Sequence, residues 1–133
     1  MNNRLNKTIE EMKEKKKKAL VAFLTAGYPN LKATEEMVLL LEKNGIDIIE
    51  IGVPFSDPVA DGPTIQFASQ QALKHGISLK DVFALVKRIR QKSNIPIVVM
   101  GYMNPLHRMG YEKAVMAADK SGVDGFIAAD LIP

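Results

Sequence analysis

The chain has 133 residues, of which 47% are hydrophobic and 25% charged, and this composition is ordinary for a single globular domain. It contains no cysteine, which excludes both a disulfide framework and a metal site built on thiolates. No apolar run approaches the roughly 20 residues that span a bilayer, and the lysine-rich N-terminus lacks a signal-peptide core, so we expect a cytoplasmic protein.

The first predicted helix covers residues 3–17 and places Leu5, Ile9 and Met12 on one face. It ends in a lysine run that supplies the net charge of +3. Because glutamates are interspersed with these lysines, we interpret the run as a solvated helix end rather than a phosphate contact. We therefore expect no nucleic-acid partner.

Apolar, strand-like runs alternate with helical patterns along the rest of the chain. Strands are predicted over 20–25, 46–51, 95–100 and 125–129, and helices over 31–44, 64–75, 78–92 and 111–121. A short turn is predicted at Asn104 and Pro105. This alternation indicates an α/β fold with a parallel sheet and right-handed crossovers. Neither a dinucleotide-binding nor a P-loop glycine motif is present, which favours a (β/α)8 barrel.

Residues 49–62 are the most informative stretch, and Glu50 is its central feature. Glu50 lies near the C-terminal end of a predicted buried strand, where a carboxylate is costly unless it is paired, neutralised or used. Parallel sheets place their ligands at this end of the strands. One alternative is that Glu50 is a structural carboxylate in a local hydrogen-bond network.

The segment from Glu50 to Gly62 resembles the signature of the tryptophan synthase α subunit family. Three further blocks match that family in the same order, and they cover residues 23–29, 100–105 and 125–133. The resemblance implies a (β/α)8 TIM barrel. That fold typically needs about 250 residues. We therefore expect residues 1–133 to be a single domain forming the N-terminal half of a barrel, with four strands and an extra N-terminal helix.

The resemblance also implies a reaction, the aldol-type cleavage of indole-3-glycerol phosphate to indole and glyceraldehyde 3-phosphate. It involves no cofactor and no metal. In the family pattern, Glu50 matches the general acid/base, and Asp61 matches the residue that binds the indole N–H. Burial on an apolar strand would raise the pKa of Glu50 and suit it to carry a proton near neutral pH.

Other positions match the family's pocket and partner interface. Phe23, Tyr102 and Ile127 match substrate-binding positions, although each would otherwise be ordinary core. Asp57 and Pro58 match a mobile loop that touches the partner β subunit, or they simply cap and stiffen a turn. The segment at Asn104 and Pro105 matches the same interface, with a plain β-to-α turn as the alternative.

The family's phosphate-binding loops follow its late strands and are absent from this sequence. We therefore expect the isolated chain to be weakly active or inactive, and an alternative is a catalytically silent scaffold or partner-binding module. A third alternative, a pentose-phosphate epimerase, is disfavoured because the metal-binding histidines of those enzymes are missing. A half-barrel also exposes two strand edges and an apolar sheet face. We expect it to form a homodimer through Val21, Phe23, Ile49 and Val98.

Overall fold

The computed structural model describes residues 3–131, which form one parallel sheet with helices packed on it. The strands are β1 (Val21–Thr25), β2 (Ile48–Gly52), β3 (Ile97–Gly101) and β4 (Gly125–Ala128). The helices are α1 (Arg4–Glu14), α2 (Leu31–Lys43), α3 (Pro63–Lys74), α4 (Leu79–Ile89), α5 (Met103–Met109) and α6 (Tyr111–Ser121). Within this part of the chain, no helix is long and apolar enough to cross a membrane.

The four strands lie in chain order, β1-β2-β3-β4, and every neighbouring pair is parallel. One row of paired residues crosses the sheet from Phe23 through Glu50 and Val98 to Gly125. Since side chains alternate between the two faces along a strand, members of such a row share a face. The register therefore fixes which side chains surround Glu50.

One face of the sheet carries the core. Ile49, Ile51, Ile97 and Val99 have no exposed surface and belong to one cluster that includes apolar residues of α2 and α4. The other side, which we call the open face, carries the alternate side chains Val21, Phe23, Glu50, Val98, Met100 and Ile127.

The prediction that Ile49 contributes to the exposed sheet face is wrong. Ile49 has no exposed surface and packs in the helix-covered core. In an apolar run without clear alternation, the sequence does not show which residues share a face. Glu50 lies on the open face, so its neighbours Ile49 and Ile51 point to the opposite side.

Several element boundaries follow from local capping. Asn30 begins α2, with its side chain accepting a hydrogen bond from the Ala33 backbone N–H at 2.8 Å. The Asp81 carboxylate accepts hydrogen bonds from both the hydroxyl and the backbone N–H of Ser78, which confirms the predicted start of α4. Gly122 ends α6 in the left-handed conformation, at φ +83°.

The predicted turn at Asn104 and Pro105 is wrong, because both residues lie in the first turn of α5. Proline is tolerated there, since the first N–H groups of a helix have no intrahelical acceptor. The Asp130 carboxylate accepts a hydrogen bond from the backbone N–H of Met103 at 2.8 Å, which stabilises the start of this helix.

A buried ionic cluster joins α1 to the N-terminal end of the sheet. The Asp124 side chain is 2% exposed and lies 2.7 Å from Arg90 Nη2 and 3.1 Å from Arg4 Nε. Asp124 also accepts a hydrogen bond from the backbone N–H of Ile97 at 2.9 Å. Burial, reinforced by the neighbouring Arg4 charge, lowers the pKa of Arg90 to about 10. The guanidinium therefore stays charged at neutral pH.

Candidate active site

Glu50 is the third of the five residues of β2, so it lies nearer the middle of the strand than the sequence indicates. It is partly buried on the open face, and its side-chain carboxylate makes no hydrogen bond or ion pair with any residue between 3 and 131. Partial burial raises the pKa of its carboxyl group. A carboxylate in this setting holds a proton more readily than an exposed glutamate does.

Phe23 is the cross-strand neighbour of Glu50 on β1, and its ring lies across the backbone of Gly52. A Cβ atom at position 52 would lie 2.5 Å from Phe23 Cζ, which is too close for any side chain. The strand therefore ends in glycine because the aromatic ring occupies that space. This contact holds the Phe23 ring on the open face, which Glu50 shares.

Asp61 lies on the loop between β2 and α3, and Tyr102 anchors that loop. The Tyr102 hydroxyl donates to Asp61 Oδ2 at 3.0 Å and accepts from the Ala60 N–H at 3.0 Å. Tyr102 is only 3% exposed, and its ring stacks on Phe55 with the centroids 5.0 Å apart. Burial, together with the Asp61 carboxylate, raises the pKa of Tyr102, so its hydroxyl stays a hydrogen-bond donor.

A small cleft connects these groups. Phe23, Gly52, Asp61 and Tyr102 all line it, and it encloses about 10 Å³, roughly the space that one water molecule needs. Sites for small organic ligands usually measure about 300–1,000 Å³. The cleft is therefore too small to hold an organic ligand, and its closely packed walls join Asp61 to the open face.

A larger groove of about 450 Å³ lies between the β2–α3 loop, the start of α4 and α5. Phe55, Ser56, Asn104 and Pro105 line this groove together, so two segments that were predicted separately share one surface. Asp57 is exposed on the adjoining loop, where its carboxylate accepts a hydrogen bond from the Ser56 hydroxyl at 2.7 Å. Pro58 follows it, and its carbonyl accepts from the Asp61 N–H.

The remaining predicted pocket residue, Ile127, lies on edge strand β4 and is 43% exposed. It shares the open face with Met100, its partner on β3. Within residues 3–131, no group of three or more His, Asp or Glu side chains is placed to hold a metal ion.

Sequence reasoning missed two supporting features of this site. Tyr102 was predicted to line a pocket, but its hydrogen bonds to the Asp61 loop were not anticipated. The stacking of Phe55 on Tyr102 was also missed, because it joins residues far apart in the chain. A signal for the close contact at Gly52 was present, since glycine within a strand often marks a close approach by another group.

Comparison with known proteins identifies the family. The sequence model described as "Tryptophan synthase alpha chain" matches residues 9–133. The tryptophan synthase alpha chain of Pelobacter propionicus is 48% identical over 98% of this chain, and that of Geotalea daltonii is 51% identical over the same share. The crystal structure of tryptophan synthase subunit alpha from Legionella pneumophila superposes with a TM-score of 0.96 at 41% identity, over 98% of this chain.

These matches also define the extent of the chain. The chain spans about half the length of the curated relatives it matches, with 49% of the Pelobacter and Geotalea proteins covered. It likewise covers 50% of the Legionella structure. The related structures are TIM barrels, so the four described strands form an α/β half-barrel. By sequence and by structure, this chain belongs to the tryptophan synthase alpha chain family.

Proposed function

We propose that this chain carries the acid/base machinery of a carbon–carbon lyase, which cleaves indole-3-glycerol phosphate to indole and glyceraldehyde 3-phosphate in tryptophan biosynthesis. The observation that carries the proposal is Glu50, an unpartnered carboxylate with a raised pKa on the open face beside Phe23. An unpartnered carboxylate in this setting suits proton transfer near neutral pH.

The chemistry needs one proton to be moved between two atoms of the substrate. Cleavage requires protonation of indole C3 and removal of a proton from the glycerol hydroxyl next to the breaking bond. Glu50 supplies the first proton and, as a carboxylate, accepts the second, so no co-reactant is needed. The bonding electron pair returns to the indole ring, and the hydroxyl carbon becomes the aldehyde.

Asp61 holds the indole nitrogen while the ring carries positive charge. One of its oxygens accepts the Tyr102 hydroxyl, and this bond fixes the orientation of the carboxylate. The other oxygen accepts the indole N–H and stabilises the cationic intermediate. The indole ring lies on the open face against Phe23 and Ile127, because the cleft below Asp61 is too small to contain it.

A complementation assay tests this proposal. The 133-residue chain is mixed with the C-terminal half of a related alpha chain, and indole release is followed. We expect little or no turnover by the chain alone, because remote phosphate binding orients the reacting carbon. We expect measurable turnover when the second half is added.

The decisive variant is Glu50→Gln, with Glu35→Gln as the control. Glu35 is a carboxylate of α2 that pairs with Arg88 and Lys92, away from the open face. In the complemented enzyme, Glu50→Gln lowers kcat by about 100-fold or more, whereas Glu35→Gln leaves it unchanged. Asp61→Asn has an effect comparable to that of Glu50→Gln. Near-normal kcat in Glu50→Gln refutes the assigned role.

A second candidate function, a partner-binding module, is favoured by the groove that joins Phe55 and Ser56 to Asn104 and Pro105. We propose that this groove and the adjoining Asp57 and Pro58 contact a tryptophan synthase β subunit, in the cytoplasm. Binding to a β subunit is measured by calorimetry with the chain and with its Asn104→Lys variant. Binding without any turnover after complementation would favour this module over the lyase.

A further inference from the structure

The sequence contains one Asn-Gly pair, Asn44-Gly45, and it lies at the C-terminal end of α2. Both residues are exposed. An asparagine followed by glycine is chemically labile, because glycine has no side chain to hinder attack by its backbone nitrogen on the preceding amide. The proposed lyase chemistry does not use this pair, so its reactivity is a separate property of the chain.

The reaction needs only these two residues and water. The Gly45 backbone nitrogen attacks the side-chain carbonyl carbon of Asn44, Cγ, and loses its proton. The bond from Cγ to Nδ2 breaks, and that nitrogen leaves as ammonia. Water then opens the resulting succinimide ring at either of its two carbonyl carbons. The products are aspartate and isoaspartate, each with a carboxylate in place of the Asn44 amide and with no change in oxidation state.

The folded end of α2 engages both reacting groups in hydrogen bonds. The Gly45 N–H, which belongs to the attacking nitrogen, donates to Glu42 O at 3.1 Å. The Asn44 Nδ2, which is the leaving group, donates to Leu40 O at 2.7 Å. Gly45 has φ +90°, a conformation that favours glycine at this position of a helix end. Neither group is therefore free to react while the last turn of α2 is intact.

The backbone torsion at Asn44 is a second obstacle to reaction. Asn44 has ψ 14°, which turns the Gly45 nitrogen away from the Asn44 Cβ. Ring closure requires that nitrogen and Cβ to lie on the same side of the bond between Cα and the carbonyl carbon. Rotating ψ breaks the bond from the Ile46 N–H to Leu41 O, 3.1 Å long, which completes a Schellman motif with the Gly45 bond. The pair can therefore react only when this helix end opens.

We propose that Asn44 is a deamidation site whose rate is set by local opening of the C-terminal end of α2. The acceptors that hold the pair, Leu40, Leu41 and Glu42, all belong to α2, so this end opens without disrupting the sheet. The product favours further opening. A carboxylate at position 44 cannot donate to Leu40 O, and its charge lies at the negative end of the helix dipole.

Peptide mass spectrometry of the chain, incubated near neutral pH, tests the site against two internal controls. Asn30 and Asn94 are also exposed, but Leu31 and Ile95 follow them and hinder ring closure. In the folded chain, we expect Asn44 to deamidate at least about tenfold faster than either control. In urea that unfolds the chain, we expect its rate to rise by a further factor of about ten or more.

Two lysine variants test whether the end of α2 sets the rate. Lys43→Glu keeps the Asn-Gly pair and places a negative charge in the last turn of α2, where it weakens the helix end. We expect the ratio of the unfolded rate to the folded rate to fall at least about threefold. Lys74→Glu makes the same change in the last turn of α3 and leaves that ratio unchanged. Circular dichroism checks that both variants keep their helical content.

Three results would overturn the proposal. The first is a folded chain in which Asn44 deamidates no faster than Asn30 and Asn94. The second is an equal Asn44 rate in the folded chain and in urea, or an unchanged ratio in Lys43→Glu. The third is an Asn44 rate that rises in step with the globally unfolded fraction at low urea, since local opening predicts only a weak dependence there.

Discussion

Removing the Asp124 carboxylate tests how much the buried ionic cluster contributes to stability. In Asp124→Ala, Arg90 keeps its charge with a side chain that is only 12% exposed, and it loses the carboxylate with which it forms an ion pair at 2.7 Å. The Ile97 N–H loses its acceptor as well. Breaking a buried ion pair by removing one partner typically costs about 3–5 kcal/mol. That is a large part of the stability of about 5–15 kcal/mol that a domain usually has.

Glu35→Ala is the matched control, because Glu35 also joins two cations. Its partners Arg88 and Lys92 are 45% and 57% exposed, so each pair contributes at most about 1 kcal/mol. Urea unfolding followed by circular dichroism at one protein concentration measures both variants. With a slope of about 2 kcal/mol/M, Asp124→Ala lowers the midpoint by about 1.5–2.5 M. A shift no larger than that of Glu35→Ala would refute the reasoning.

Two further substitutions have expected outcomes. Gly52→Ala places a Cβ atom 2.5 Å from Phe23 Cζ, so we expect it to lower the free energy of unfolding by about 1–3 kcal/mol. Gly62→Ala is the control and should have little effect, because no atom lies within 4 Å of the added Cβ. Thermal unfolding measures both variants. Ser78→Ala removes the hydroxyl that binds Asp81 and costs about 1 kcal/mol. The Ser78 hydroxyl is the main cause of the lowered pKa of Asp81, whose ordinary value is 3.8, so the ionised Asp81 stabilises the fold above pH 3.8. This stabilisation is lost as the pH falls through the lowered pKa. In Ser78→Ala the midpoint of urea unfolding should therefore fall less steeply as the pH is lowered.

The elements that sequence predicts well are those whose limits depend on local chemistry. Ser78 followed by Asp81 marks the start of α4, and Gly122 marks the end of α6, because each acts within its own turn. The family motif likewise identifies Glu50 and Asp61 directly as candidates. In these cases, the residues that specify the structure are neighbours in the chain.

The features that sequence misses depend on contacts between distant residues. The apolar pattern predicts β2 from residue 46, but the strand begins at Ile48. Asp47, just before it, accepts a hydrogen bond from the Leu20 N–H at 2.8 Å, which no local pattern reveals. The anchoring of Asp61 by Tyr102 joins positions 41 residues apart. Propensity and periodicity carry no information about such pairs.

The carboxylates of this chain differ in their hydrogen-bond partners according to their place along the strands. At the N-terminal ends, Asp47 and Asp124 each follow a Gly-apolar pair. Asp47 accepts the N–H of Leu20, just before β1, and Asp124 accepts the N–H of Ile97, the first residue of β3. At the C-terminal ends, Asp130 accepts the Met103 N–H, and Asp61 accepts the Tyr102 hydroxyl. Glu50 lies in the middle of its strand, between these two ends of the sheet, and its carboxylate accepts no hydrogen bond from residues 3–131. Its burial therefore brings no compensating hydrogen bond within the sheet, which is the expected arrangement for a carboxylate whose partner is a substrate.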